Sequence, residues 1–287
     1  MHYIEFEKIA ETVESLCIAA CHELSRDVVK ALRKAAEKER NPLAKQVLQQ
    51  LLENARIAKE QKLPLCQDTG MAVVFLEQGG EVAVKDTGEI DRSTIVDAVN
   101  EGVKRGYEKG YLRKSAVSEP LRDRKNTGTN TPAIVHHTIV PGRKLKVTVM
   151  AKGGGCENRS RFRMFRPTAS RQEIIEWVLE VVKTAGADAC PPFLVGVGIG
   201  GDFELCCMLS KKALLRQIGS RNGDEFYEEL ENELLDEINK LGIGPQGFGG
   251  DTTALEVFIE TAPCHIASLP VAVNIECHSH RHKTAVI

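Results

Sequence analysis

The sequence is poor in aromatic residues, in net charge and in long apolar runs. Only 5% of its 287 residues are aromatic, and a single tryptophan is present. Lys and Arg total 38 against 40 Asp and Glu, and this balance carries no nucleic-acid or membrane-surface signature. No run approaches the roughly 18 apolar residues of a membrane span. The N-terminal stretch MHYIEFEKIAETVES is charged throughout and lacks the apolar region of a secretory signal. We therefore expect a cytoplasmic chain that binds neither nucleic acid nor membranes.

Cysteine, in contrast, is abundant. The chain has nine cysteines, and an odd number without a secretory signal argues against structural disulfides. No CxxC pair occurs, which argues against a zinc ribbon or a ferredoxin-type cluster. Cys17 and Cys21 fall on or beside the apolar face of a predicted helix, which favours a packing role. Reduced thiols, metal ligation or catalysis are the options for the others.

The first sixty residues predict helices. Apolar residues from Phe6 to Leu24 recur at spacings of three and four, Ser25 has the character of an N-cap, and Asn41-Pro42 begins a third helix. After Lys62, clusters of Pro, Gly, Asn and Thr separate short apolar runs. Strands are predicted at 71–75, 145–150, 193–199, 255–260 and 266–275, and helices at 93–108 (capped by Ser93), 171–185 and 225–241.

These elements predict an α/β (mixed α+β) fold. We expect one domain over residues 1–287, in which a helical N-terminal segment, 1–60, packs on a mixed β-sheet core with flanking helices, 61–287.

Two motifs suggest functions of other kinds. The string GVGIGG (196–201) follows an apolar run and matches the dinucleotide-binding pattern G-x-G-x-x-G. That pattern requires an acidic residue about 20 positions later, and the sequence there, LLRQIGSRNG, does not contain one. Tight packing, or close approach of the backbone to another ligand, is therefore favoured over a nucleotide-binding module. The string CHSHRH carries His278, His280 and His282, which would share one face of a strand and suit a zinc hydrolase. The sequence has no HExxH motif to support that alternative, and a basic segment without a metal explains the string equally well.

Three further cysteines begin unusual strings. Cys66 begins CQDTG, Cys190 begins CPP and Cys277 begins CHSHRH, each where an apolar run meets a turn. Three thiolates brought together would suit a [4Fe–4S] cluster and would leave one iron without a protein ligand, free to act as a Lewis acid. Spacing alone does not distinguish this arrangement from three unrelated cysteines.

Most of the chain beyond residue 60 resembles the α subunits of two-subunit class I fumarases and L(+)-tartrate dehydratase, the iron–sulfur hydro-lyase family. The strings that carry the resemblance are LPLCQDTG (63–70), LRKS (112–115), NTGTNTPA (126–133), AKGGGCEN (151–158), ACPP with GVGIGG (189–201), LGIGPQGFGG (241–250) and HIASLPVAVNIECHSHRH (265–282).

The resemblance implies a [4Fe–4S] cluster held by Cys66, Cys190 and Cys277. Cys156, in GGGCEN, is not counted as a ligand, because single-chain members of the family can carry serine there.

The resemblance also implies a small dicarboxylate substrate and five residues that contact it: Gln67, Asp68, Arg113, Gly155 and His265. A guanidinium clamp and backbone N–H donors are what carboxylates require. Asp68 beside His265 is expected to fix the imidazole tautomer or to relay a proton. Asp68 and His265 are thus the predicted catalytic residues.

The implied reaction is the reversible hydration of fumarate to L-malate, and the alternative is dehydration of L(+)-tartrate to oxaloacetate. In single-chain relatives a further domain supplies basic residues and the threonine thought to act as base. This sequence stops at Ile287, close to the last ligand string, so we expect a separate β subunit to supply them. A symmetric contact between two α subunits is also expected.

Overall fold

The computed structural model of the chain describes residues 1–85 and 94–287. The predicted cap Ser93 lies outside these described residues, and α4 begins after Thr94. The helices are α1 (Phe6–His22), α2 (Arg26–Lys38), α3 (Pro42–Gln61), α4 (Ile95–Lys109), α5 (Gly154–Glu157), α6 (Arg171–Ala185), α7 (Phe203–Ala213) and α8 (Glu225–Lys240). No helix of the described part is both long and apolar enough to cross a membrane.

The described part of the chain has ten strands. They are β1 (His2–Glu5), β2 (Met71–Gly79), β3 (Val82–Lys85), β4 (Ile134–Val140), β5 (Leu145–Lys152), β6 (Arg161–Phe165), β7 (Phe193–Gly200), β8 (Ala254–Ala262), β9 (Leu269–Glu276) and β10 (His282–Val286). The predicted mixed α/β class is confirmed.

Local capping sets several helix starts. In α4 the Thr94 hydroxyl accepts from the N–H of Asp97 at 3.2 Å, and the Asp97 carboxylate accepts from the N–H of Thr94 at 2.8 Å. Ser170 and Glu173 form the same reciprocal box on α6. Asn41 Oδ1 accepts from the second residue of α3 at 3.0 Å, which confirms the predicted start of the third helix.

The described chain divides into two compact units, and neither is continuous in sequence. The first unit contains Met1–Leu24, Ala55–Gly154 and Arg281–Ile287, and the second contains Ser25–Asn54 and Gly155–His280. The predicted helical segment 1–60 therefore contributes to both units. The expectation of one domain over residues 1–287 stays a prediction.

In the first unit, a sheet of order β10-β5-β2-β4 packs against helices. Strand β2 runs parallel to β4 and antiparallel to β5, and β10 is antiparallel to β5 at the edge. Helix α1 packs on both the sheet and α4, and Val13, Val103 and Val149 are fully or almost fully buried in this core. A short parallel pair, β1 with β3, completes the unit.

In the second unit, the sheet order is β6-β9-β7-β8. Strand β7 runs parallel to β8 and antiparallel to β9. Alternate residues of β7, Val195 and Val197 among them, enter the core with α6 and α8. Because side chains alternate along a strand, the glycines between them face the other side, where α7 packs.

The glycines of GVGIGG allow α7 to lie directly on β7. A Cβ atom built on Gly196 would lie 2.0 Å from the carbonyl oxygen of Ser210, and one on Gly198 would lie 2.2 Å from that of Cys206. No L side chain tolerates such distances. The predicted tight packing is confirmed at Gly196 and Gly198.

Several elements differ from the sequence-based expectations. Strands β1, β3, β4, β6 and β10 were not predicted, and the late strand expected from residue 266 begins at Leu269. The alternative in which three histidines share one face of a strand does not match the structure, because His278 and His280 lie in the turn after β9 and His282 begins β10.

Candidate metal and substrate site

The first unit presents the loop that carries Cys66, Gln67 and Asp68. The Cys66 thiol donates to the Gln67 side-chain oxygen at 3.2 Å, and Cys66 Sγ accepts from the N–H of Asp68 at 3.4 Å. Cys66 is partly exposed and Gln67 is exposed. The loop therefore holds a thiol and an amide at the surface of this unit, where both are available to a ligand.

The Asp68 carboxylate is held by backbone donors. Oδ1 accepts from the N–H of Gly70 at 3.0 Å and Oδ2 from the N–H of Gly154 at 2.7 Å. These hydrogen bonds fix the orientation of the carboxylate and the direction of its remaining lone pairs. The Asp68 side chain is thus held in one position by the backbone of this unit.

Arg281 supports this loop and was not singled out by the sequence analysis. It is 3% exposed, and its Nη1 donates to the backbone carbonyl of Asp68. A Cβ on Gly153 would lie 2.8 Å from Arg281 Nη2 and 3.2 Å from Asp68 Oδ2, so a glycine makes room for both groups. The available signal was a charged residue inside the HIASLPVAVNIECHSHRH string, just before a strand. Arg281 is a positioning residue for Asp68.

Arg113 lies beside the same loop. Its backbone carbonyl accepts from the Thr69 hydroxyl at 3.0 Å, so the two segments are tied together. Its side chain is exposed, and within the described residues its guanidinium makes no hydrogen bond or ion pair. A guanidinium in this state is ready for bidentate binding of a carboxylate.

The second unit brings the turns of Cys190 and Cys277 together at one edge of its sheet. Strand β7 begins three residues after Cys190 and β9 ends one residue before Cys277, and Leu194 is paired with Glu276. His278 joins the turns, with its backbone N 3.5 Å and its Nδ1 3.1 Å from the Cys190 carbonyl oxygen. These two predicted ligands are therefore neighbours.

Cys190 has an unusual backbone conformation. Its φ is +56° and its ψ +65°, the left-handed region, which costs a non-glycine residue about 1 kcal/mol. Gln246, from the LGIGPQGFGG string, stabilises the turn by donating both its backbone N–H and its Nε2 to the Pro191 carbonyl at 2.8 Å. The Cys190 side chain is exposed. Strain retained around an exposed thiol is typical of a functional position.

Cys156 also belongs to this edge of the sheet. One donor atom from each of Cys156, Glu276 and Cys277 lies within 4.8 Å of the other two. The sequence analysis had left Cys156 out as a ligand, and its only signal was its place in the GGGCEN string. Throughout residues 1–85 and 94–287, no histidine of CHSHRH enters such a group.

Three other cysteines are buried, and none of them belongs to a group of metal-binding donors in the described part of the chain. Burial raises the pKa of the Cys17 thiol well above its ordinary value, and burial raises the pKa of Cys21 and of Cys206 to about 12. Thiolates, which are the ligands and nucleophiles, are therefore suppressed at these positions. The expectation of buried, packing cysteines at Cys17 and Cys21 is confirmed.

The structure does not bring His265 together with Cys277. His265 lies exposed in the connection between β8 and β9, where its Nδ1 accepts from the N–H of Ala267 at 3.1 Å. The eight residues of β9 separate this connection from Cys277 and extend over about 26 Å at 3.3 Å per residue. These two predicted site residues thus lie at opposite edges of one sheet.

Gly155 lies on the same side of the second unit as Cys190. It is exposed, and the nearest atom to a Cβ built on it would be the Asp188 carbonyl oxygen, at 3.8 Å. Asp188 also pairs with Arg159, which connects the segment after α5 to the turn before Cys190. The backbone of Gly155 is therefore open to a ligand without steric hindrance.

The comparisons with known proteins identify the family. The sequence profile described as "Fumarate hydratase (Fumerase)" matches residues 10–286, which is almost the whole chain. The chain belongs to the fumarate hydratase family. Its members' names are those of enzymes that add or remove water, and the chain is a hydro-lyase of this family.

Relatives with nearly full-length similarity carry a related name. The "Putative L(+)-tartrate dehydratase subunit alpha" of Methanocaldococcus jannaschii is 42% identical over 277 residues, 96% of this chain and 95% of that protein. The L(+)-tartrate dehydratase subunit alpha of Escherichia coli O157:H7 is 33% identical over 282 residues, 98% of this chain and 91% of that protein.

The thiols present fit an iron–sulfur cluster. Cys190 is exposed and Cys66 and Cys277 are partly exposed, so each can meet a cofactor, unlike the deeply buried thiols of Cys17 and Cys21. Thiolate donors on turns, without a CxxC motif, are compatible with a cluster assembled from distant segments.

Proposed function

We propose that the chain is the cluster-binding α-type subunit of a hydro-lyase that acts on a four-carbon dicarboxylate, with fumarate as the first candidate. In that reaction water adds across the double bond: one carbon receives the hydroxyl, its neighbour receives the proton, and no oxidant is needed. The observation that supports this most directly is the pair of accessible thiols, Cys190 and Cys277, on neighbouring turns.

Cys66, Cys190 and Cys277 are the proposed ligands of a [4Fe–4S] cluster. With three protein ligands, the cluster supplies one iron that acts as a Lewis acid toward a substrate oxygen. The remaining chemistry depends on side chains of the protein. Reduced access of water would strengthen every electrostatic contact made there.

The proposed substrate contacts follow from the geometry of each group. Arg113 offers an uncommitted guanidinium fork for one carboxylate, Gln67 offers an exposed amide, and Gly155 offers an unhindered backbone. Asp68 holds or relays the proton on an oxygen fixed by backbone N–H groups, while Arg281 keeps its loop in place.

The test of this assignment begins with anaerobic reconstitution and a visible spectrum, in which a broad band near roughly 400 nm reports the cluster. Replacing Cys66, Cys190 or Cys277 by Ser should abolish it, and Cys207→Ser serves as the matched control. A cluster that survives Cys190→Ser would refute the ligand set. A wild-type chain that never develops the band would refute the cluster itself.

Substrate binding has a separate test. Arg113→Lys should reduce turnover strongly while the cluster band is retained, because an ammonium group cannot form the bidentate fork. The exposed Arg122→Lys is the control for the same chemical change. Equal activity of both variants would remove Arg113 from the site.

L(+)-tartrate is the second candidate substrate, supported by the names of the curated relatives. Its dehydration to oxaloacetate removes one hydroxyl and a proton from the neighbouring carbon, so the same groups can serve both reactions. Parallel assays with fumarate and L(+)-tartrate decide between them, and activity with neither refutes both.

A separate β subunit is part of this proposal, supported by the words "subunit alpha" in the names of the relatives. We expect little activity from the α chain alone, even after reconstitution, and full activity after a β subunit is added. Full activity from the α chain alone would contradict the need for a partner.

The proposed role of His265 requires a second copy of the chain. Because about 26 Å of sheet separate it from Cys277, His265 cannot contact a substrate held beside Cys277 in its own unit. Its loop is exposed, and the following Ile266 is 91% exposed, which suits burial against another chain. We propose that His265 completes the site of a symmetric partner copy.

Mixed dimers test this arrangement. His265→Asn and Cys190→Ser chains, each assembled with a β subunit, should be inactive alone. Mixed at equal amounts, they should recover about a quarter of wild-type activity, since half the dimers are mixed and each has one intact site. No recovery, with dimer exchange verified by size, would place His265 outside the partner's site.

A further inference from the structure

The closest cluster of metal-binding donor atoms in the second unit is not the predicted set of cluster ligands. It is formed by Cys156, Glu276 and Cys277, whose donor atoms all lie within 4.8 Å of one another. Cys156 is 3% exposed, Glu276 is fully buried, and Cys277 is partly buried. Two thiols and a carboxylate thus face one another away from bulk solvent.

The sheet holds these donors in place. Glu276 and Cys277 are consecutive, so the end of β9 fixes both. Cys156 is brought to them because residues 154–160 are attached along β9. Asn274 Nδ2 donates to the Glu157 carboxylate at 3.2 Å, and the N–H of Ile275 donates to the Ser160 hydroxyl at 3.2 Å. The cluster is therefore built from secondary structure and not from loose side chains.

The chemistry of the donors selects the ion. Thiolate sulfur prefers borderline-soft divalent ions such as Zn²⁺ and Fe²⁺, and a carboxylate oxygen is a common further ligand. Around a tetrahedral ion with bonds of about 2.0–2.3 Å, ligand atoms lie roughly 3.3–3.8 Å apart. Donors within 4.8 Å reach that spacing through side-chain rotations, and the fourth position is left for water or another ligand.

We propose that, when it carries no cluster, the chain binds one divalent ion of this class, Fe²⁺ or Zn²⁺, through Cys156, Glu276 and Cys277. The consequence for the cluster rests on the proposed function: because Cys277 is shared, a chain that holds the single ion at this site does not hold the cluster. Cys156 is then the ligand that belongs only to the mononuclear state.

The experiment is a Co²⁺ titration of the chelator-treated chain under anaerobic conditions. Co²⁺ bound by thiolates gives intense sulfur-to-metal absorption in the near ultraviolet, so binding is observed directly without activity. One equivalent should bind. Cys156→Ser and Glu276→Gln should weaken binding at least about tenfold, and Cys277→Ser should abolish it. Cys264→Ser, at an exposed thiol elsewhere in the unit, is the matched control.

The remaining variants separate this inference from the proposed function. Cys66→Ser and Cys190→Ser should bind Co²⁺ like the wild type, although both should fail to reconstitute the cluster. Unchanged Co²⁺ affinity in Cys156→Ser, with its circular dichroism like that of the wild type, would overturn the mononuclear site and leave the cluster proposal standing. Normal Co²⁺ binding in a wild-type chain that never forms the cluster would refute the cluster proposal and leave the mononuclear site standing.

Discussion

The close packing of α7 on β7 yields a quantitative prediction for Gly196→Ala. The new methyl group would lie 2.0 Å from the Ser210 carbonyl oxygen, whereas ordinary contact begins at 3.4 Å. Helix and strand must therefore separate by about 1.4 Å, and overpacking of this kind costs about 3 kcal/mol. For a unit of this size, that lowers the midpoint of thermal unfolding by roughly 6–12 °C.

The measurement is thermal unfolding followed by far-ultraviolet circular dichroism. Gly223→Ala is the matched control, because nothing lies within 4 Å of its Cβ position and its φ is outside the left-handed region. Its effect should stay within about 0.5 kcal/mol. If Gly196→Ala unfolded at the same temperature as Gly223→Ala, the packing of α7 on β7 would not require a glycine at position 196. A nucleotide-binding role for GVGIGG would then require testing.

Three further predictions concern thiols, a positioning contact and a partly buried carboxylate. At pH 8, Cys21 with its pKa of about 12 should be alkylated at least a thousandfold more slowly than the exposed Cys264. Mass spectrometry measures the alkylation rate of each cysteine. Two rates within tenfold of each other would contradict the burial of Cys21. Gly153→Ala should lower the midpoint of thermal unfolding by a few degrees, because its Cβ would lie only 2.8 Å from Arg281 Nη2 and would displace that guanidinium. An unchanged midpoint would contradict that close approach. Burial raises the pKa of Glu256, so ionisation destabilises the fold as pH rises. Glu256→Gln should therefore stabilise the chain at pH 7, with a benefit that disappears toward pH 4, and a pH-independent difference would refute this reasoning.

Elements with strong local signals were predictable. Helix α6 spans the predicted 171–185 because the reciprocal Ser170 and Glu173 cap and the apolar spacing agree. Strand β4 was missed because most of its side chains are exposed, so no clear alternation marks it. Strand β10 is short, and pairing with β5 determines it more than its own residues do.

In the candidate site, too, residues marked by local sequence patterns were predictable, and residues positioned by distant contacts were not. Cysteines in distinctive strings could be identified from the sequence. The proximity of Cys156 to Cys277, in contrast, depends on hydrogen bonds that the Glu157 and Ser160 side chains accept from Asn274 Nδ2 and from the N–H of Ile275. Arg281 was missed because its function comes from burial beside Asp68, which no local pattern encodes. The separation of His265 from Cys277 follows from the extended strand between them.

The discontinuous first unit has a consequence for the order in which the protein folds during synthesis. Its edge strand β10 comes from residues 281–287, more than a hundred residues after β5, with which it pairs. Until that segment has been synthesised and has left the ribosome, the edge of β5 has no partner and can pair wrongly with another nascent chain. Arg281, which holds the Asp68 loop, arrives with the same segment. Completion of this sheet and organisation of that loop therefore both follow synthesis of the entire second unit.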